Sequence, residues 1–191
     1  MYKECKTTQS INRQMSIAQS LCDMMVQQPY EEISVSSLCK KADIPRKSFY
    51  RYFDTKDDAF NFLVDKLLLD SDEYSGGYRK ADVHMSKEVL KKRFQYFKEQ
   101  NGLIKAIANN HMSLQTIQRV SETVVNQMRE LGVTMNVEEE MKVTMTVSIV
   151  FSVIMSWHHS GYSASCDEMA ETTFRLLTTP LLEIKDKNNY S

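Results

Sequence analysis

The residues able to do chemistry in this chain concentrate between Ser34 and Lys56, in the run SVSSLCKKADIPRKSFYRYFDTK. Lys40, Lys41, Arg46, Lys47, Arg51 and Lys56 stand there against Asp43 and Asp54, with Ser48, Tyr50 and Tyr52 interleaved. Guanidinium and ammonium groups beside hydroxyl donors are what phosphate oxygens and guanine edges accept. The chemistry implied is recognition of a nucleic acid rather than bond cleavage. A basic run taken alone is more often a solvated helix face, so the elements around it decide between the two.

Those elements read as two short helices about a tight turn. Ser34 is an N-cap, its hydroxyl accepting a free backbone N–H of the next turn. Val35, Leu38, Cys39 and Ala42 form the buried stripe of the first helix. Asp43 sits at the reversal, where a left-handed residue is often needed and Asp tolerates it better than most. Pro45 opens the second helix, where its missing N–H costs nothing. Phe49 and Phe53, four apart, face inward, and Thr55 with Asp58 reads as a capping-box-like start to the next helix. The pattern is a helix-turn-helix that reads DNA. Residues at the start of a recognition helix reach base edges, so Arg46 and Lys47 are the candidate base readers. Ser48, Tyr50 and Lys56 are candidates for phosphate contact. Ser34 and Arg51 belong to the same DNA-binding set, and Tyr52 either joins it or packs.

The runs YEEISV (30–35), LCKKADI (38–44) and SFYRYF (48–53), followed by Lys56, resemble the TetR family of bacterial transcriptional regulators. The resemblance covers the first third of the chain, and the Trp157 to Gly161 end of a later helix is similar to the family's effector domain. Two positions depart from the family pattern: Asp43 stands where Gly is common, and Pro45 where Ser or Thr is common. The missing hydroxyl removes a cap and a phosphate contact. The resemblance implies an N-terminal three-helix DNA-binding domain, a helical C-terminal domain with a ligand cavity, and a homodimer built on the last two long helices.

The rest of the sequence fits an all-α chain. Its 191 residues carry only 5 Gly and 3 Pro and show no sustained period-two alternation. About nine helices are expected, with residues 1–56 forming the helix-turn-helix domain, a connecting helix over 57–70, and residues 57–191 forming the ligand and dimerisation domain. Thr8 or Ser10 is the expected cap of the first helix, and Pro29 marks its stop. Ser71–Tyr78 reads as a loop broken at Gly76-Gly77. Ser86, Ser113, Asn136 and the Ser165/Glu168 pair open later helices; Asn101 or Gly102 opens another, and Gly132, Gly161 and Pro180 end three of them.

Two further sets of residues follow. The helix Val137–His159 is apolar nearly all round, which places it between its own core and a partner. Thr144, Ser148, Ser152 and Ser156 recur along it as a small-residue stripe that either packs inside one subunit or forms a dimer seam. Met141, Met145, Trp157, Met169 and Phe174 lie near that seam. Phe94, Phe97, Ile104, Ile107, Met112, Ile117, Val120, Val124 and Met128 line an effector pocket in the family's manner, or simply fill a core. No charged residue stands out as a hook for a ligand.

Composition narrows the partners. The net charge is −1, so a DNA surface must be a local patch. The most apolar stretch, Val143–Trp157, is shorter than a membrane span and interrupted by hydroxyl residues. Cys5, Cys22, Cys39 and Cys166 are scattered and read as small hydrophobes in a reducing cytoplasm. His84, His111, His158 and His159 have no metal-binding spacing, and no cofactor or catalytic motif occurs. Composition and motifs point to a non-enzymatic, cofactor-free, cytoplasmic chain, and the resemblance implies a homodimer on a pseudo-palindromic double-stranded operator: a repressor released by an unknown small-molecule effector. The alternative is a coactivator whose C-terminal domain docks a protein.

Overall fold

The computed structural model describes residues 2–75 and 86–179. The Gly76-Gly77 break, His84 and Pro180 lie outside them. Nine α-helices and one 3-10 turn make up the regular structure of the described residues: α1 (Thr8–Gln27), the 3-10 turn (Tyr30–Glu32), α2 (Val35–Lys41), α3 (Arg46–Phe49), α4 (Lys56–Ser75), α5 (Lys87–Glu99), α6 (Asn101–Asn109), α7 (Ser113–Glu130), α8 (Val137–His159) and α9 (Cys166–Thr178).

Local chemistry sets most of the boundaries. The Ser34, Asn136 and Ser165 caps accept from the third residue of α2, α8 and α9, each in a reciprocal capping box. Ser86 caps α5 through the Val89 N–H. Gly132 and Gly161 take φ of 81° and 67° and stop α7 and α8. The cap of α1 is Thr7 rather than Thr8 or Ser10, because Ser10 supplies the reciprocal hydroxyl three positions on. Pro45 is the N-cap of α3, one position earlier than expected, and its carbonyl accepts from Ser48 N–H at 2.8 Å.

The loop expected from Ser71 is absent as far as Ser75: α4 runs straight through. Ser71 and Ser75 donate their hydroxyls to carbonyls three residues back, and Asp72 pairs with Arg93 of α5. Polar residues that look like loop are thereby satisfied inside a helix. One buried core runs from Ile17 and Leu21 in α1 through Phe49, Phe53 and Phe60 to Phe94, Ile104 and Trp157.

Candidate DNA interface and effector cavity

The turn between α2 and α3 is a Schellman motif. Ile44 N–H reaches the Cys39 carbonyl at 3.0 Å and Asp43 N–H the Lys40 carbonyl at 3.4 Å, with Asp43 left-handed at φ 51°. This ends α2 and aims α3 away from it. Phe49 and Phe53 are fully buried and anchor the segment from below. Regular helix ends at Phe49, and turns carry the chain on to Phe53, whose N–H still meets the Phe49 carbonyl at 3.0 Å.

Above those anchors the predicted DNA-binding set divides. Arg46, Lys47, Tyr50 and Arg51 are exposed side by side, with Ser34 exposed at the N-cap of α2 and Ser48 half-buried. Arg46 Nη2 donates to Tyr50 Oη at 3.1 Å, which raises the guanidinium above its usual range and holds both groups as a unit. Tyr52 is half-buried against the core. Lys56 is turned inward: its Nζ donates to the Tyr30 carbonyl at 2.6 Å and lies 4.2 Å from the Tyr30 ring centre. The Ser34 hydroxyl accepts from Ser37 N–H as a cap.

This face sits on a braced frame. Lys3 N–H donates to the Tyr52 carbonyl at 2.9 Å, and Lys3 pairs with Asp54 at 2.7 Å. Asp58 accepts from the Asp54 and Thr55 N–H groups while its own N–H donates to Thr55, the expected start of α4. At the far end of α1, Asn110 accepts from Tyr30 N–H at 2.6 Å and donates to the Met25 carbonyl at 2.7 Å. Burial and the Asp57 hydrogen bond push the Tyr30 phenol up, and burial pushes the Cys22 thiol up to about 12 and the Cys39 thiol up. These thiols stay protonated core groups.

A cavity of about 80 Å³ lies between α4, α5, α6, α7 and α8. Phe97, Ile104, Val120 and Val124 line it, as the spacing suggested. Phe94, Ile107 and Met112 are core residues that do not reach it, Ile117 faces an outer groove between α7 and α8, and Met128 is not among its lining. Val64, Leu67 and Leu68 of α4 and Val147, Val150, Phe151 and Ile154 of α8 line the cavity as well. They could have been found by treating α4 and α8 as shared walls rather than as connector and seam. A charged group is present after all: Arg93 reaches the cavity while pairing with Asp72, which was read as loop. Burial pushes the Asp72 carboxyl up to about 6, against the pull of Arg93.

The small-residue stripe of α8 faces outward. Thr144, Ser152 and Ser156 are exposed and Ser148 half-buried, beside Val137, Met141 and Met145 at 76%, 60% and 57% exposure. Among the described residues no helix of the same subunit covers Thr144, Ser152 or Ser156. Trp157 is not on this face; it is 2% exposed, edge-on to Phe94 and Tyr162. Met169 and Phe174 are half-buried on α9. By length and apolarity α8 could cross a membrane, so the length argument drawn from Val143–Trp157 does not hold; the hydroxyl stripe and the Glu138–Glu140 first turn remain against it. Among the described residues no group of His, Cys, Asp and Glu is placed to hold a metal ion.

Residues 20–61, which include this helix-turn-helix, match the model of the bacterial regulatory proteins of the tetR family. The helix-turn-helix segment is therefore of the tetR-family type. Solved TetR-type structures share its fold. A TetR-family transcriptional regulator from Syntrophomonas wolfei superposes with a TM-score of 0.62 at 16% identity, covering 92% of this chain and 100% of that one. The fatty acid degradation regulator FadR from Bacillus halodurans gives 0.59 at 12% identity, covering 93% and 98%. In sequence, the dhaKLM operon transcriptional activator DhaS of Lactococcus lactis is 32% identical over 71 residues. That match spans 35% of this chain and 38% of the length of DhaS.

Proposed function

We propose that the chain is a dimeric, sequence-specific DNA-binding regulator whose operator affinity is set by a small molecule in the α4–α8 cavity. The observation that carries it is the exposed Arg46, Lys47, Tyr50 and Arg51 group mounted over two fully buried phenylalanines. Arg46 and Lys47 read base edges, and Tyr50, Arg51 and Ser48 position the backbone. Two copies joined through α8 and α9 would present two such groups to successive major grooves. Repression by operator occupancy, relieved by ligand, is the simplest mode, because ligand need only favour a DNA-incompetent spacing. Activation is the second reading. It is favoured by the name of DhaS and by exposed Leu114, Leu131 and Val133 around α7, outside the α8 stripe, where a protein could dock.

The test is fluorescence anisotropy on duplexes that the wild-type chain selects from random-sequence DNA. Arg46→Ala with Tyr50→Ala should weaken binding by about 10-fold or more, at roughly 1–3 kcal/mol per lost base-edge pair. Unchanged affinity would remove the DNA-reading role from this face.

A further inference from the structure

One buried carboxylate is unused by the interface and the cavity as described above. Asp65 of α4 is 3% exposed and holds four hydrogen bonds. Arg119 of α7 grips both its oxygens, with Nε at 2.9 Å from Oδ1 and Nη2 on Oδ2. Thr123, one turn further along α7, donates to Oδ1 at 2.8 Å. The fourth donor comes from 63 residues earlier in the sequence: the Tyr2 hydroxyl, 2.8 Å from Oδ2.

Both sides of this junction lead somewhere. Thr116, Val120 and Val124 of α7 line the cavity while the interleaved Arg119 and Thr123 hold Asp65. Val64, Leu67 and Leu68 of α4 line the same cavity on either side of Asp65. On the other side, Tyr2 stacks edge-on to Phe62 at 5.3 Å, and Phe62 to the buried Phe53 at 5.8 Å. The next residue, Lys3, donates its N–H to the Tyr52 carbonyl, and buried Gln14 donates to the Lys3 carbonyl at 2.9 Å. Tyr2 and Lys3 therefore form a short strap from the cavity wall to the end of the recognition segment.

We propose that Tyr2 is a positioning residue for DNA recognition, tying the recognition segment through Asp65 to α7, so that displacement of the cavity wall is delivered to Tyr52. The proposal rests on the DNA-binding reading above. A cavity of about 80 Å³ admits only a small molecule without moving its walls, since a drug-sized ligand needs ~300 Å³ or more. A larger occupant must shift α4 or α7. The charge-assisted grip of Arg119 on Asp65 resists separation of the two helices, so the shift moves the junction as a unit and carries the Tyr2 hydroxyl with it.

The test is a double-mutant cycle in DNA affinity, on folded protein and a duplex selected from random DNA by the wild-type chain. Tyr2→Phe and Arg119→Gln should each weaken binding, by roughly 3- to 10-fold, and the double variant should lose little beyond the worse single one, as residues sharing one network do. Val120→Phe, which overfills the cavity in place of a ligand, should lower affinity about 5-fold in the wild type and less than about 2-fold in Tyr2→Phe. Losses that multiply, Val120→Phe acting equally in both backgrounds, or variants that melt earlier yet bind DNA as the wild type does, each overturn the proposal. If Val120→Phe does not fold by circular dichroism, the Tyr2 and Arg119 cycle decides. Selection of no duplex at all overturns the DNA-binding reading and this inference with it, whereas a wild type that binds and a cycle without coupling overturns this inference alone.

Discussion

Asp43 shows how far a single residue can be read from sequence. A reversal between two short helices often takes a left-handed residue, and φ at Asp43 is 51°. For most side chains such a conformation costs about 1–3 kcal/mol. Asp43→Gly should therefore be neutral or stabilising by up to about 1 kcal/mol, while Asp43→Val should cost about 1–2 kcal/mol, both measured by urea unfolding. Lys56 shows the limit, because its inward turn onto the Tyr30 carbonyl depends on a turn 26 residues away. Asp72 was likewise not legible, since only the fold brings Arg93 beside it. Its folded-state pKa, about 6, lies above its ordinary 3.8. The folded state thus binds more protons between those values, and stability rises as pH falls from about 7 toward 4. Asp72→Asn removes this term. Relative to that variant, the wild type should gain roughly 1 kcal/mol between pH 7.5 and 5, read from urea midpoints at each pH.

At the scale of elements, helix ends were legible because caps act over three or four residues. Ser34, Ser86, Asn136 and Ser165 all cap where their spacing places them. The extent of α4 and the joints between helices were not, because their partners lie far apart in sequence. The joint of α6 to α1 is the clearest case. Asn110 bonds Tyr30 N–H, the Met25 carbonyl and the Ala106 carbonyl with one amide, bridging 85 residues in its longest reach. It satisfies groups at the C-terminal end of α1 that the helix itself cannot. Asn110→Ala would leave partly buried donors and acceptors unmade, at about 1–3 kcal/mol. Thermal unfolding should show the loss, and hydrogen exchange should quicken first around Tyr30–Ile33, where the 3-10 turn hands the chain to α2. Exchange that stays uniform would mean α6 does not hold the base of the DNA-binding helices.

At the scale of the whole molecule, the proposed dimer ties the recognition segment and α8 to one symmetry. A chain of net charge −1 has no bulk attraction for DNA, so its affinity must come from a local patch, and two patches double the phosphates it can neutralise. On the proposed dimer the exposed Val137, Met141 and Met145 side of α8 meets a second copy, and the serine stripe lets the helices approach closely. Exposed apolar area of this kind on one helix face is otherwise a solubility liability. Met141→Glu with Met145→Glu places like charges opposite one another across such a seam and should yield a monomer in sedimentation. Because each neutralised phosphate contributes about −0.9 to the slope of log K against log salt, that monomer should bind the selected duplex with about half the wild-type slope as well as lower affinity. A charged variant that stays dimeric would assign the seam to α9 alone. A monomer with an undiminished slope would mean that one copy already makes every phosphate contact, and that α8 does not set the distance between two readers.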